Sequence, residues 1–107
     1  MASFYKNAKV DLTGTGATTL YTAPAATTAI FKSLLVADDS GSTSTITVTI
    51  TDAAAAVFVV YNVKATAANG TLELLTQPLV VQESEILKVT AANANRLHVV
   101  GSFLEVT

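Results

Sequence analysis

Apolar and polar residues alternate with a period of two along most of the chain. The clearest stretch is Ser44 to Thr51, where Ile46, Val48 and Ile50 fall on one parity and Thr45, Thr47, Thr49 and Thr51 on the other. That is the pattern of a half-buried antiparallel strand with a hydroxyl face, and β-branched side chains suit the pleated surface. The same rhythm predicts strands over Phe4 to Leu12, Thr18 to Thr22, Thr28 to Ala37, Val57 to Lys64, Thr71 to Thr76, Ile86 to Ala91 and Arg96 to Val106. Within Thr28 to Ala37, Ile30, Lys32, Leu34 and Val36 share one parity, and Ala29, Phe31, Ser33 and Leu35 the other. Turn signals separate the strands at Thr13-Gly14-Thr15-Gly16, Pro24, Asp38 to Ser42, Ala68-Asn69-Gly70, Gln77-Pro78 and Asn93 to Asn95. Ala53 to Ala56 reads as the bend of a hairpin, because four residues cannot nucleate a helix alone. About eight strands at this spacing predict an all-β fold, a single antiparallel β-sandwich or jelly roll over residues 1–107.

Four segments break the alternation. Leu34 to Val36, Val57 to Tyr61, Leu79 to Val81 and Leu97 to Val100 carry apolar side chains on both parities. A two-layer sandwich turns one face of each strand to water, so such strands need a second cover. The expectation is a homo-oligomer or a lattice-bound subunit. Contacts are expected at the chain ends and within Leu20 to Ser33 and Arg96 to Thr107. The candidate interface residues are Phe4, Tyr5, Tyr21, Phe31, Phe103, Leu104 and Val106. Composition strengthens this expectation: half of the 107 residues are hydrophobic and 13% are charged, with a mean hydropathy of +0.50.

Candidate chemistry is sparse. The chain has no cysteine, which excludes a disulfide scaffold, a zinc finger and a thiol enzyme. Six basic against eight acidic residues give no basic footprint for nucleic acid. The longest apolar run, Ala53 to Tyr61, is too short for a membrane-spanning helix. Lys6 and Lys9 are not followed by an apolar core, so no signal peptide is expected and synthesis in the cytoplasm is. His98, the single histidine, has no Gly-x-Ser-x-Gly elbow to pair with and reads as a side chain on a sheet face. Asp38, Asp39 and Asp52 lack EF-hand spacing and read as turn residues that cap their own backbone. Glu83 and Glu85 read as a solvated pair, and Thr13 to Ala17 as a turn without the lysine and helix of a phosphate loop. Tyr5, Tyr21 and Tyr61 are scattered, with no tryptophan to build a stacking platform. The expectation is a non-enzyme without metal or cofactor.

The segment Leu20-Tyr21-Thr22-Ala23-Pro24-Ala25-Ala26-Thr27-Thr28-Ala29-Ile30-Phe31-Lys32-Ser33 resembles a recurring signature of small virion proteins of tailed bacteriophages, especially marine and cyanobacterial ones. Those proteins carry Leu-Tyr-Thr-Ala-Pro-Ala-Gly-Thr-Thr and then an apolar strand ending in Lys-Ser. The resemblance continues through Thr47 to Asp52, Leu87 to Ala92 and the closing Leu104 to Thr107, and so covers most of the chain in order. Ala26 stands where the pattern has glycine, so a positive φ in that turn would be strained. The resemblance implies a non-enzymatic structural component of the virion. The reading it favours is a capsid decoration or cement protein, trimeric, docked on the major capsid protein or other virion structural proteins. The alternative is an accessory subunit of the tail, neck or head-fibre base. A host-glycan-binding module is a third reading, weakened by the lack of tryptophan.

Overall fold

The computed structural model describes residues 2–107. Among the described residues there are nine strands and no helix: β1 (Ser3–Leu12), β2 (Thr18–Thr22), β3 (Thr28–Asp38), β4 (Ser44–Thr51), β5 (Val57–Thr66), β6 (Thr71–Glu73), β7 (Leu79–Val81), β8 (Ile86–Ala91) and β9 (Leu97–Val106). They make two antiparallel sheets. One runs β1-β9-β3-β6, with β7 also paired to β3; the other runs β2-β8-β4-β5. The sheets pack face to face as a β-sandwich, with β1 near β2 on one side and β3 near β5 on the other.

The strands follow the alternation closely. In β9, Leu97, Val99, Phe103 and Glu105 are buried inward, while His98, Val100, Leu104 and Val106 sit half-buried on the outer face. In β4, Ile46 and Val48 are buried and Thr45, Thr47 and Thr49 face outward, as the hydroxyl-face reading expects, but Thr51, expected on the same face, is buried at the end of the strand. β3 departs from simple parity. Its pairing with β9 shifts between Phe31 and Ser33, so Ala29 and Phe31 point inward before the shift and Leu34, Val36 and Asp38 after it. Leu34 and Val36 therefore share the core with Phe31, not the face of Ile30 and Lys32. One extra residue in a strand exchanges its two faces, which uniform alternation cannot anticipate.

The core is centred on an aromatic group from both sheets. The Phe31 and Phe103 rings stack at 4.6 Å, and the Tyr21 ring lies 5.5 Å from Phe31 and 4.6 Å from Phe103. Gly101 makes room for it: a Cβ there would stand 2.6 Å from a Phe31 ring carbon. Around these rings pack Leu12, Leu34, Val36, Ile46, Val48, Leu87, Val89, Leu97 and Val99.

Two stretches differ from the sequence expectation. β6 stops at Glu73, and Leu74 and Leu75 turn into the core. The Glu73 carboxylate ends the strand by accepting the Leu34 N–H at 2.7 Å and the Ser33 hydroxyl. β7 is an additional strand of three residues directly after Pro78, pairing with Ala29–Phe31 and burying Val81 completely. Three consecutive apolar residues carry no alternation that would mark it. The turn after Pro24 does take a positive φ, 56° at Ala26, so alanine sits in a conformation that glycine tolerates better.

Two stability outcomes are expected. Ala26→Gly raises stability by about 0.5 kcal/mol, the relief of Cβ strain less the added chain entropy. Gly101→Ala lowers it by about 2 kcal/mol by overpacking the Phe31 ring. Urea unfolding midpoints at unchanged slope read both.

Candidate functional site

The buried polar chemistry lies at one end of the aromatic group. Glu105 points inward from β9 and is 6% exposed. Its carboxylate accepts the Tyr21 hydroxyl proton at 2.6 Å and pairs with Lys6 Nζ at 2.8 Å. β1, β9 and β2 are thereby tied across the two sheets. The hydrogen bond from Lys6, then that from Tyr21, holds the Glu105 carboxyl below the usual carboxylate range against the opposing effect of burial. Burial, with the neighbouring Glu105 carboxylate, pushes the Tyr21 phenol well above its ordinary value. All three groups are occupied with one another, which makes the set a strut rather than a reactive centre.

The other titratable candidates are spread over the surface. His98 lies on the outer face of β9 opposite Asp11 of β1. Its Nε2 is 3.2 Å from Asp11 and its Nδ1 3.8 Å from Asp39. Both ring nitrogens thus face carboxylates at a shallow groove of about 310 Å³ that Lys9 and Val100 also line. Asp38 is buried and caps its own turn, its Oδ1 accepting the Ser40 N–H and the Ser40 hydroxyl, each at 2.9 Å. Burial works to raise its carboxyl, but the Ser40 and Asn69 backbone hydrogen bonds, the Ser40 hydroxyl and the Arg96 charge hold it below the usual range. Asp52 accepts the Ala54 and Ala56 N–H groups at 2.9 Å and closes the bend between β4 and β5. Asp38 and Asp52 therefore sit beyond opposite ends of β4. Among the described residues no group of three His, Cys, Asp or Glu side chains is arranged to hold a metal ion. Glu85 accepts the Gln82 N–H in the turn before β8, while Glu83 is exposed.

The seven candidate interface residues fall into three environments. Phe31 and Phe103 are inside the single chain, and Tyr21 is half-buried against them. A charge at Phe103 would strike the core before any docking surface. Phe4 and Tyr5 are exposed on β1, Phe4 on the inward side beyond the packed core and Tyr5 on the outer face. Leu104 and Val106 lie half-buried on the outer face of β9.

The strand order brings one of these into a larger feature. Tyr5 is the cross-strand neighbour of Leu104, Leu104 of Ile30, and Ile30 of Val80. Together they form an apolar stripe across β1, β9, β3 and β7 on the outer face, with Tyr5 78% and Val80 45% exposed at its ends. A second apolar feature lies on the other sheet, where Val57, Phe58, Val59 and Val63 of β5 are all more than half exposed. Ile30, Val80 and the β5 residues are not among the seven candidates. The doubly apolar runs at Leu79 to Val81 and Val57 to Tyr61 are the signal for Val80 and for Val57, Phe58 and Val59; Ile30 and Val63 lie outside those runs. No protein-family model matches the chain, and no curated protein matches it significantly.

The strut makes a pH prediction. A carboxyl with a lowered folded value adds stability that is complete above the ordinary value of 4.5 and is lost as pH falls through the lowered one. Glu105→Gln is therefore expected to be less stable than the parent chain at pH 7, with the difference shrinking as pH falls below 4.5. Urea midpoints measured from pH 7 to acid check the sign.

Proposed function

We propose that this chain is a non-enzymatic structural subunit of a tailed-bacteriophage virion, a capsid decoration or cement protein that docks on the major capsid protein lattice and stabilises the head. The observation that carries the reading is the apolar stripe Tyr5–Leu104–Ile30–Val80, a band on the outer face of one sheet with exposed ends. A band of this kind suits burial against a preformed surface. The sequence resemblance from Leu20 to Thr107 supplies the kind of assembly. Low charge favours a joint built on apolar burial, and many copies on a lattice convert a weak single joint into firm attachment. The buried carboxylate Glu105 and the turn carboxylates Asp38 and Asp52 support the same reading, since each is engaged in a strut or a turn cap.

The test uses heads lacking this protein and the purified chain. Tyr5→Asp and Val80→Asp place a charge at the exposed ends of the stripe, where the fold tolerates it. Each is expected to weaken head binding by about tenfold or more while circular dichroism stays unchanged. Undiminished binding of both variants contradicts the reading. Copy number in intact virions separates the two virion locations: a number that scales with the capsid lattice supports decoration, and a few copies per particle support a tail, neck or head-fibre-base subunit instead.

A further inference from the structure

Two grooves lie along β1 and β9 on the outer face of their sheet, and their charges differ. In the groove at His98, Asp11 and Asp39 flank the two ring nitrogens, so the titratable groups there face one another. The other groove, of about 380 Å³, is bounded by Tyr5 and Asn7 of β1, Lys32 of β3 and Ser102 of β9, all four exposed. Lys6 also borders it, but its ammonium is held by Glu105 at 2.8 Å. Lys32 sits at the register shift in β3. Among the described residues, no acidic side chain lines this groove and no carboxylate lies within ion-pair distance of Lys32. Glu73, from β6 on the other side of β3, is engaged by the Ser33 hydroxyl and the Leu34 N–H. The groove thus offers a cation with an amide, a hydroxyl and a phenol around it. That set is rich in donors and suits a carboxylate.

The groove is the row beside the apolar stripe. Asn7, Ser102 and Lys32 each stand two residues from Tyr5, Leu104 and Ile30 along their own strands, a step of roughly 7 Å. Tyr5 belongs to both features. A surface that covers the stripe also takes water from the Lys32 ammonium, and a covered charge without a counter-charge is costly. We propose that the partner surface covering the stripe is acidic at this point: it places an Asp or Glu carboxylate in the groove against Lys32, with the Asn7 amide and the Ser102 hydroxyl as further donors. The inference rests on the head-docking reading and adds the chemistry of the partner, apolar side chains with a carboxylate roughly 7 Å away. The apolar contact supplies burial, and the ion pair fixes the register of docking.

The test uses heads lacking this protein and the purified chain. Binding of the parent chain is expected to weaken several-fold between about 0.1 M and about 1 M salt. At low salt Lys32→Glu is expected to bind about tenfold more weakly than the parent, and Lys32→Arg, which keeps the charge, within about twofold of it. Lys88→Glu makes the same change of net charge on the outer face of the other sheet and is expected to leave binding unchanged. Circular dichroism checks the fold; should Lys32→Glu lose it, Lys32→Gln and the salt series of the parent decide. Parent binding that is insensitive to salt and unaltered in Lys32→Glu overturns the inference and leaves the head-docking reading standing. Equal losses in Lys32→Glu and Lys88→Glu also overturn it, because they report overall charge. Saturable amide shifts at Asn7 and Ser102 on titration with glucuronate, lost in Lys32→Glu while head binding is unaffected, assign the groove to an acidic sugar and overturn it as well. A parent chain that does not bind heads overturns both readings.

Discussion

A two-layer sandwich has one interior, and this chain carries more apolar side chain than that interior holds. The gap between the sheets is filled by the Phe31–Phe103–Tyr21 rings and the leucines and valines around them, down to the missing Cβ at Gly101. Tyr5, Val80 and, on β5, Val57, Phe58, Val59 and Val63 lie outside that core. Those residues meet water in the single chain, and they do so in groups: a stripe across one sheet and an edge of the other. Scattered exposed apolar residues are ordinary on a protein surface, whereas contiguous bands point to partners. The functional reading follows from that surplus and its placement.

Polar groups serve the frame. Glu105 ties Lys6 and Tyr21 together next to the rings and links strands of both sheets. Asp38 and Asp52 fix the turns before and after β4, and β5 follows as the last strand of its sheet, its pairing with β4 shifting register twice. These carboxylates hold the two apolar surfaces in a defined relation: the stripe lies on the outer face of one sheet, and the free edge lies at the far side of the other.

Much of this architecture was legible in the sequence because strands announce themselves by alternation. Ile46 and Val48 against Thr45, Thr47 and Thr49 fixed the faces of β4 before any coordinates. Turn chemistry located the Asp38 and Asp52 caps. What escaped had physical causes. The bulge between Phe31 and Ser33 exchanged the faces of β3, and no residue type marks where a strand takes an extra residue. β7 was too short to show a period. The stripe depends on β1, β9, β3 and β7 lying side by side, an order set by long-range pairing and absent from any local pattern. The apolar excess of Leu20 to Ser33 and Arg96 to Thr107 points to Phe31 and Phe103 as contact residues, but large rings serve cores as readily as interfaces, and here they are spent inside. The runs that were apolar on both parities were the better guide.

The central claim is that the exposed bands are covered in the assembled state. Hydroxyl-radical footprinting reads side-chain exposure directly and can compare the dilute isolated chain with the chain in the proposed virion particle. The account predicts that Tyr5 and Phe58 are readily modified in the isolated chain and protected in the particle, while Phe31 and Phe103 are protected in both. Equal modification of Tyr5 and Phe58 in the two states would contradict it.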